Sequence, residues 1–379
     1  MTGNENIGMG IRAFQFPNGG TMWSNSNIGI GTILYSFSNG GSMGGNGFNI
    51  GLGTSIYTFM KSNAQFSGYN NTAIGQSIFY LTNGDLTGSA NIGLGSSLYR
   101  ILSGNMAGSS NMGIGQSSYY VRNGDITSTA VNNIALGNSI YYLVNSSTST
   151  FLGQNNIGIG NTLYNLILGN LTGLRNIGMG NDVFRLNSGN FSGSNNIGIG
   201  SNAMNASGGI AGNNNIALGN EAMSTGGKIA GTDNIAIGYS VLQPTTSTDI
   251  GSYNIGIGNW ALYADMAKGN ANIQIGNWYV GTPLAGQLNN VVAIGNEMNG
   301  LTYSNTDSNT ILLGVRSSSP NSPKVGVGTY NPQAKLHVKG ELMVETESGN
   351  CTSSNAGAIR FQSGHFYGCN GSTWKQLDN

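Results

Sequence analysis

Charge is what this sequence has least of. Only 7% of its 379 residues are Asp, Glu, Lys or Arg, and the 14 basic and 14 acidic side chains cancel. No run of Lys and Arg occurs, so the clustered cations that neutralise phosphates are missing and no nucleic-acid partner is expected. Six Pro residues, and Gly without a strict every-third-residue period, exclude collagen. Two His and two Cys leave little for nucleophilic catalysis or metal binding. No apolar stretch approaches the ~18–20 residues that cross a bilayer as a helix, so no membrane insertion is expected. The start, Met1-Thr2-Gly3-Asn4-Glu5, has neither the charged region nor the apolar core of a secretory signal.

What is present is glycine (63), asparagine (55) and enough aromatic residues to pack, with 17 Tyr, 12 Phe and 4 Trp. Low charge with abundant aromatics argues against solvated disorder. The glycines and asparagines are periodic. The unit Asn196-Ile197-Gly198-Ile199-Gly200 recurs as Asn, apolar or β-branched, Gly or Ala, apolar, Gly, beginning with Asn6 to Gly10. Fourteen copies run to Gly276, and worn copies without the Asn end at Gly295, Gly314 and Gly328, which makes seventeen. Their spacing is mostly 18–23 residues. So steady a period marks a stacked repeat protein, whose length is not limited by one core. The predicted fold is an all-β parallel β-roll, or β-solenoid, of about 17 coils; at ~4.8 Å per coil it would be a rod on the order of 80 Å long.

Within a unit, Ile197 and Ile199 lie two apart and share one face of an extended strand. They are predicted to fill the roll, with Gly198 and Gly200 on the other face leaving room for a neighbour, and Asn196 laddering from coil to coil. A second apolar run follows each unit, as in Ser139-Ile140-Tyr141-Tyr142 and Thr162-Leu163-Tyr164. These runs are too short for helices and are predicted to be a second strand. Turns then close the coil, as in Asn83-Gly84-Asp85-Leu86-Thr87-Gly88 and Ser188-Gly189-Asn190-Phe191-Ser192-Gly193. Because the repeats begin at Asn6, either the chain is expected to be a segment of something longer, or its open first coil is expected to stack on another virion or fibre protein.

Composition changes near Pro320: the first 320 residues hold 19 charged side chains, and the last 59 hold 9 together with both His and both Cys. The predicted organisation is a roll over 1–319, a last worn coil and connector over 320–344, and a small tip over 345–379. In the tip, runs at 358–361, 365–369 and 373–377 are separated by Gln362-Ser363-Gly364 and Asn370-Gly371-Ser372, a pattern that predicts a three-stranded meander.

Two stretches resemble known families. Asn234-Ile235-Ala236-Ile237-Gly238 resembles the head repeats of trimeric autotransporter adhesins, and the longer 20-residue unit is closer to repeats of phage tail fibres. Gly326-Val327-Gly328-Thr329-Tyr330-Asn331-Pro332-Gln333-Ala334-Lys335-Leu336-His337-Val338-Lys339-Gly340 is similar to the connector before the C-terminal modules of tail-fibre proteins. The ending, from Cys351 through Gly357-Ala358-Ile359-Arg360-Phe361 to Cys369 and Trp374, looks like their cysteine-bracketed tips. The chain departs from these families in having no membrane barrel and no self-cleaving chaperone after the connector. The resemblance implies a homotrimeric structural fibre of a virion appendage, located on the virion or outside the cell, that meets a host glycan or protein. A cell-surface adhesin or a self-assembling extracellular filament is the alternative.

Chemistry is sparse by comparison. Asp85 and Asp125 sit in matching turns and offer paired carboxylates for a polysaccharide-cleaving spike. Sister repeats carry Asn105 and Asn190 there, as befits a turn position, so neither catalysis nor a cofactor is expected. Cys351, Cys369 and His365 fall short of a zinc set, and a Cys351–Cys369 disulfide is the better reading; it would close a module with little core and place it in an oxidising compartment. In the tip, His365, Phe366, Tyr367 and Trp374 are candidate receptor contacts, and the aromatic three equally fit the core of a small sheet.

Overall fold

The computed structural model describes residues 4–13, 25–33, 42–44, 47–56, 65–78, 87–98, 101–102, 107–119, 121–122, 125–126, 129–142, 150–167, 170–188, 190–244, 249–263, 267–277, 289–295, 309, 311–313, 324–344 and 349–378. The turn at 83–86 and the boundary at Pro320 lie outside them. The chain divides into two units, Met1–Ser317 and Ser318–Asn379.

In the first unit, sixteen copies of the repeat form one parallel sheet running from Ile7–Met9 to Ile311–Leu313, each strand lying between the copies before and after it in sequence. Pairing is in register, so like stands beside like. Ile197 faces Ile177 on one side and Ile216 on the other, and Gly198 lies between Gly178 and Ala217. The unit is a parallel β-solenoid. The seventeenth copy is not part of it: Val325–Val327 pairs instead with Leu336–Val338, a two-stranded parallel sheet within the second unit.

The Asn doublets divide their labour. The first Asn turns the corner into the strand with positive φ, as at Asn195 (58°) and Asn214 (58°), a conformation that Asn tolerates better than most residues. The second is buried and ladders. Asn196 donates from its backbone to Asn176 Oδ1 (2.9 Å) and from Nδ2 to the Gly212 carbonyl (2.9 Å). Its own Oδ1 accepts from the backbone and Nδ2 of Asn215, both at 3.0 Å. Equivalent bonds recur at Asn49, Asn91, Asn133 and Asn254, all buried. Each side chain satisfies its neighbours, so removing one orphans several buried groups at about 1–3 kcal/mol apiece.

The sidedness of the strand is the reverse of the sequence expectation. Gly198 faces the inside of the roll, and Ile197 and Ile199 face out. Packing explains why. The residues after the strand supply the core in consecutive buried pairs: Ile140 and Tyr141, Leu163 and Tyr164, Val183 and Phe184, Ala203 and Met204. Their rings and branched chains lie directly beneath the sheet, where Gly or Ala leaves space; in one coil the buried Gln274 takes this position and accepts from the Leu262 backbone. A Cβ on Gly198 would meet Val183 Cγ1 at 2.8 Å and Phe184 Cζ at 3.2 Å. Gly200 is small for another reason: its φ is 133°, and a Cβ there would lie 2.3 Å from the Gly219 carbonyl oxygen.

Two neighbouring residues cannot both point inward from a regular strand. They do so here because the expected second strand is a turn, with positive φ at Ser139 (52°) and Tyr141 (55°), and likewise at Thr162 (54°) and Tyr164 (48°). Hydrogen bonding between coils continues through that turn: Ser139 donates to Gln116 of the coil before, and Tyr141 to Leu163 of the coil after. Tyr141 stacks on Tyr164 at 4.7 Å and on Tyr119 at 4.9 Å. Their phenols donate to strand carbonyls, Tyr141 to Ile134 (3.2 Å) and Tyr164 to Ile157 (3.1 Å). Burial holds both phenols well above their ordinary pKa, and at Tyr141 the neighbouring Tyr164 adds to this.

The stretch predicted to be a simple turn also contributes to the core. Phe191 is buried, and its backbone bridges Leu171 and Ile210. Ile126, Phe151 and Ile229 do the same work in other coils. One apolar residue per repeat at this place was the visible signal.

Candidate functional site: an apolar outer face and a two-faced tip

Turning the aliphatic side chains outward gives the solenoid an unusual surface. Every strand of the sixteen-stranded sheet sets two outward positions, in rows represented by Ile177, Ile197 and Ile216 and by Met179, Ile199 and Leu218. Ile199 is 38% exposed, and Met179, Ile237 and Ile275 are alike. In-register stacking joins these residues into two rows that are apolar except at Thr72, which stands between Ile50 and Ile92, far more than the scattered hydrophobic residues of an ordinary soluble surface.

The tip is a three-stranded antiparallel sheet, as predicted, of Ile359–Gln362, His365–Cys369 and Trp374–Gln376. A two-residue turn joins the first pair, with positive φ at Ser363 (51°) and Gly364 (88°). Cys351 and Cys369 form a disulfide and are the buried hydrophobic residues among those described in this unit. They lie on the same side as the candidate residue Trp374. There the Arg360 guanidinium sits 4.0 Å from the indole ring and 5.8 Å from that of Tyr367. Arg360 and the Trp374 indole both donate to the Gly349 carbonyl, at 3.0 and 2.9 Å. Trp374 is thereby tied down between cation, carbonyl and disulfide.

His365 shares that face by strand alternation. Its Nδ1 lies 3.0 Å from Gln376 Nε2 and 3.6 Å from Asp378 Oδ1. Phe366 points the other way, packing on Phe361 with centroids 5.1 Å apart. The four predicted receptor contacts therefore do not form one site, because His365, Tyr367 and Trp374 lie on one face of the sheet and Phe366 on the opposite one. The opposite face holds what residue-by-residue reading missed: a cavity of about 440 Å³ lined by Leu342, Val344, Ile359, Phe366, Leu377 and Asp378. Its signal was the alternation Ile359-x-Phe361.

Comparison with family models, with curated proteins and with solved structures finds no match for this chain. The surfaces must speak through their own chemistry. Among the described residues no group of three or more His, Cys, Asp or Glu could hold a metal ion. Of the two turn carboxylates, Asp85 lies outside the described residues, and Asp125 is described through its backbone, which pairs with Thr150. The Asn-Ile-Gly-Ile-Gly units are strands rather than loops.

Proposed function

We propose that this chain is a structural subunit of a homotrimeric fibre on a phage or similar virion appendage, carrying its C-terminal tip toward a host surface. The observation that carries the reading is the pair of apolar rows on the outer face of the sheet. Burying such rows is worth about 25 cal/mol per Å² of apolar area, and a rotational assembly of like chains is the closed way to bury one repeated face. The glycine face cannot serve, since the roll's own core fills it. The connector and cysteine-bracketed tip, which resemble those of tail fibres, favour a virion appendage over a cell-surface adhesin. The work is mechanical: ladders of backbone and Asn hydrogen bonds resist unfolding while the tip meets a glycan or protein.

Sedimentation and native mass of the whole chain test this. A discrete species of three 39.3 kDa chains is expected. Changing Ile199→Glu together with Ile237→Glu should yield monomers whose coils still fold, because both side chains project outward. A wild-type monomer would overturn the trimer, and an open-ended size distribution would favour the filament reading.

A further inference from the structure

We infer that the coil holding Asn272 and Gln274 is an internal cap. It closes a cooperative block of the solenoid, and the two strands after it open without unravelling that block. Two lines of hydrogen bonds that join coil to coil inside the roll both end at this coil.

The first line runs through the inner turns. In seven successive coils the amide of the second inward residue donates to a backbone carbonyl of the next coil, from Tyr119, bonded to Ile140, through Leu242, bonded to Ala261. At Leu262, the next in line, the acceptor is a side chain: Gln274 Oε1, at 2.6 Å. A backbone amide has one hydrogen to give, so the line closes there. Gln274 is fully buried in the inward row, where every earlier strand of the sheet has Gly or Ala. Its Nε2 has no partner among the described residues. Burying an unpaired donor is unfavourable, so packing does not account for Gln at this place; its carbonyl does.

The second line is the Asn ladder. Asn254 donates to Asn234 Oδ1 through both its backbone and its Nδ2, at 2.9 and 3.1 Å. Asn272 still offers its Oδ1 to the backbone of the next coil, at Val291 (3.0 Å). The Val291 side chain has no amide to pass on, and the ladder stops.

Other contacts continue past the cap. Ile275 pairs with Ile294, and Ile294 with Leu313. Asn290 Nδ2 donates to Asn309 Oδ1 (2.9 Å) on the exposed corner, and Val291 and Ala293 are buried. Strand pairing and apolar contact therefore outlast both inner lines. Solenoid stability is close to a sum over neighbouring coils, so losing two interface terms at one place marks where a segment opens by itself.

Hydrogen exchange of the full chain, read by mass spectrometry at single-residue resolution, tests the cap. Amides of 255–262 should exchange as slowly as those of 197–218, and those of 292–294 and 311–313 about tenfold faster or more. Gln274→Ala puts there the residue that Ala236 and Ala293 already are, so the coil should still fold. It should speed the Leu262 amide about tenfold or more and leave 197–218 unchanged. Val291→Asn should act in the opposite sense, extending the ladder and slowing exchange at 292–294. Equal protection on both sides of Gly276 would overturn the block boundary. So would a Val291→Asn chain with no slowing at 292–294. A Leu262 amide indifferent to Gln274→Ala, or protection lost at 197–218 in that variant, would overturn the cap.

Discussion

The two units of this protein solve the problem of stability in opposite ways. The solenoid buries side chains in rows, and because each coil is covered by the next, a few positions repeated along the chain build a core of any length. Ile56, Tyr141, Phe191 and Leu262 are all fully buried although they lie in coils far apart. The C-terminal unit has 62 residues, Ser318–Asn379, and among its described residues the buried hydrophobic ones are the two bonded cysteines. It is held by a covalent link, a guanidinium over an indole, and shared hydrogen bonds to one carbonyl. Repetition makes a core out of neighbours; a small module without neighbours needs a staple.

The solenoid should therefore break where repetition is broken sterically. Gly200→Val has the largest expected effect. Its Cβ would collide with the Gly219 carbonyl 2.3 Å away, at a φ of 133° that valine does not adopt. We expect a loss of about 4 kcal/mol or more, read as non-cooperative melting of the coils around it, with the tip unchanged. A melt like that of wild type would show that the strand ends are looser than the in-register ladder requires.

The tip should break chemically. Replacing Cys351 and Cys369 by Ser opens an 18-residue separation, and its closure entropy corresponds to about 3 kcal/mol. We expect Trp374 fluorescence and cation–π packing to be lost at lower denaturant, while circular dichroism of the solenoid keeps its midpoint. If both units shifted together, their separate cores would be refuted.

The smallest effect concerns the aromatic stack. Tyr141 and Tyr164 have folded pKa values above the ordinary 10.0, so below that pH both states carry the proton and their contribution is fully present. As pH rises past 10.0 the unfolded chain ionises first, binds fewer protons than the native state, and stability falls. Tyr141→Phe combined with Tyr164→Phe should flatten this alkaline decline in melting temperature. An unchanged pH profile would mean the phenols are open to water.

Much of this was legible in the order of residues. The period announced stacking; Asn in the first place of fourteen of the seventeen units announced a ladder; Gly and Asn between short alternating runs announced the tip meander. The orientation of the strand was not legible. Ile197-Gly198-Ile199 says which residues share a face but not which face is the inside, and the usual inference from hydrophobicity put the isoleucines there. What decides is the pair that follows. Val183 and Phe184 both turn inward through a positive φ at Phe184 (56°), and once they fill the roll only glycine fits above them. The seventeenth unit teaches the same lesson, since Val325-Gly326-Val327 has the sequence of a coil but pairs with Leu336–Val338.

By itself, then, the sequence determined the repeat, the in-register parallel ladder and the meander, because each rests on contacts that local spacing specifies. Only the tertiary structure decided which side of each strand is core, which of the tip's aromatic residues share a face, and where apolar surface is left uncovered. Those outcomes depend on volume, and volume is filled by residues from other coils and other strands that no single repeat contains.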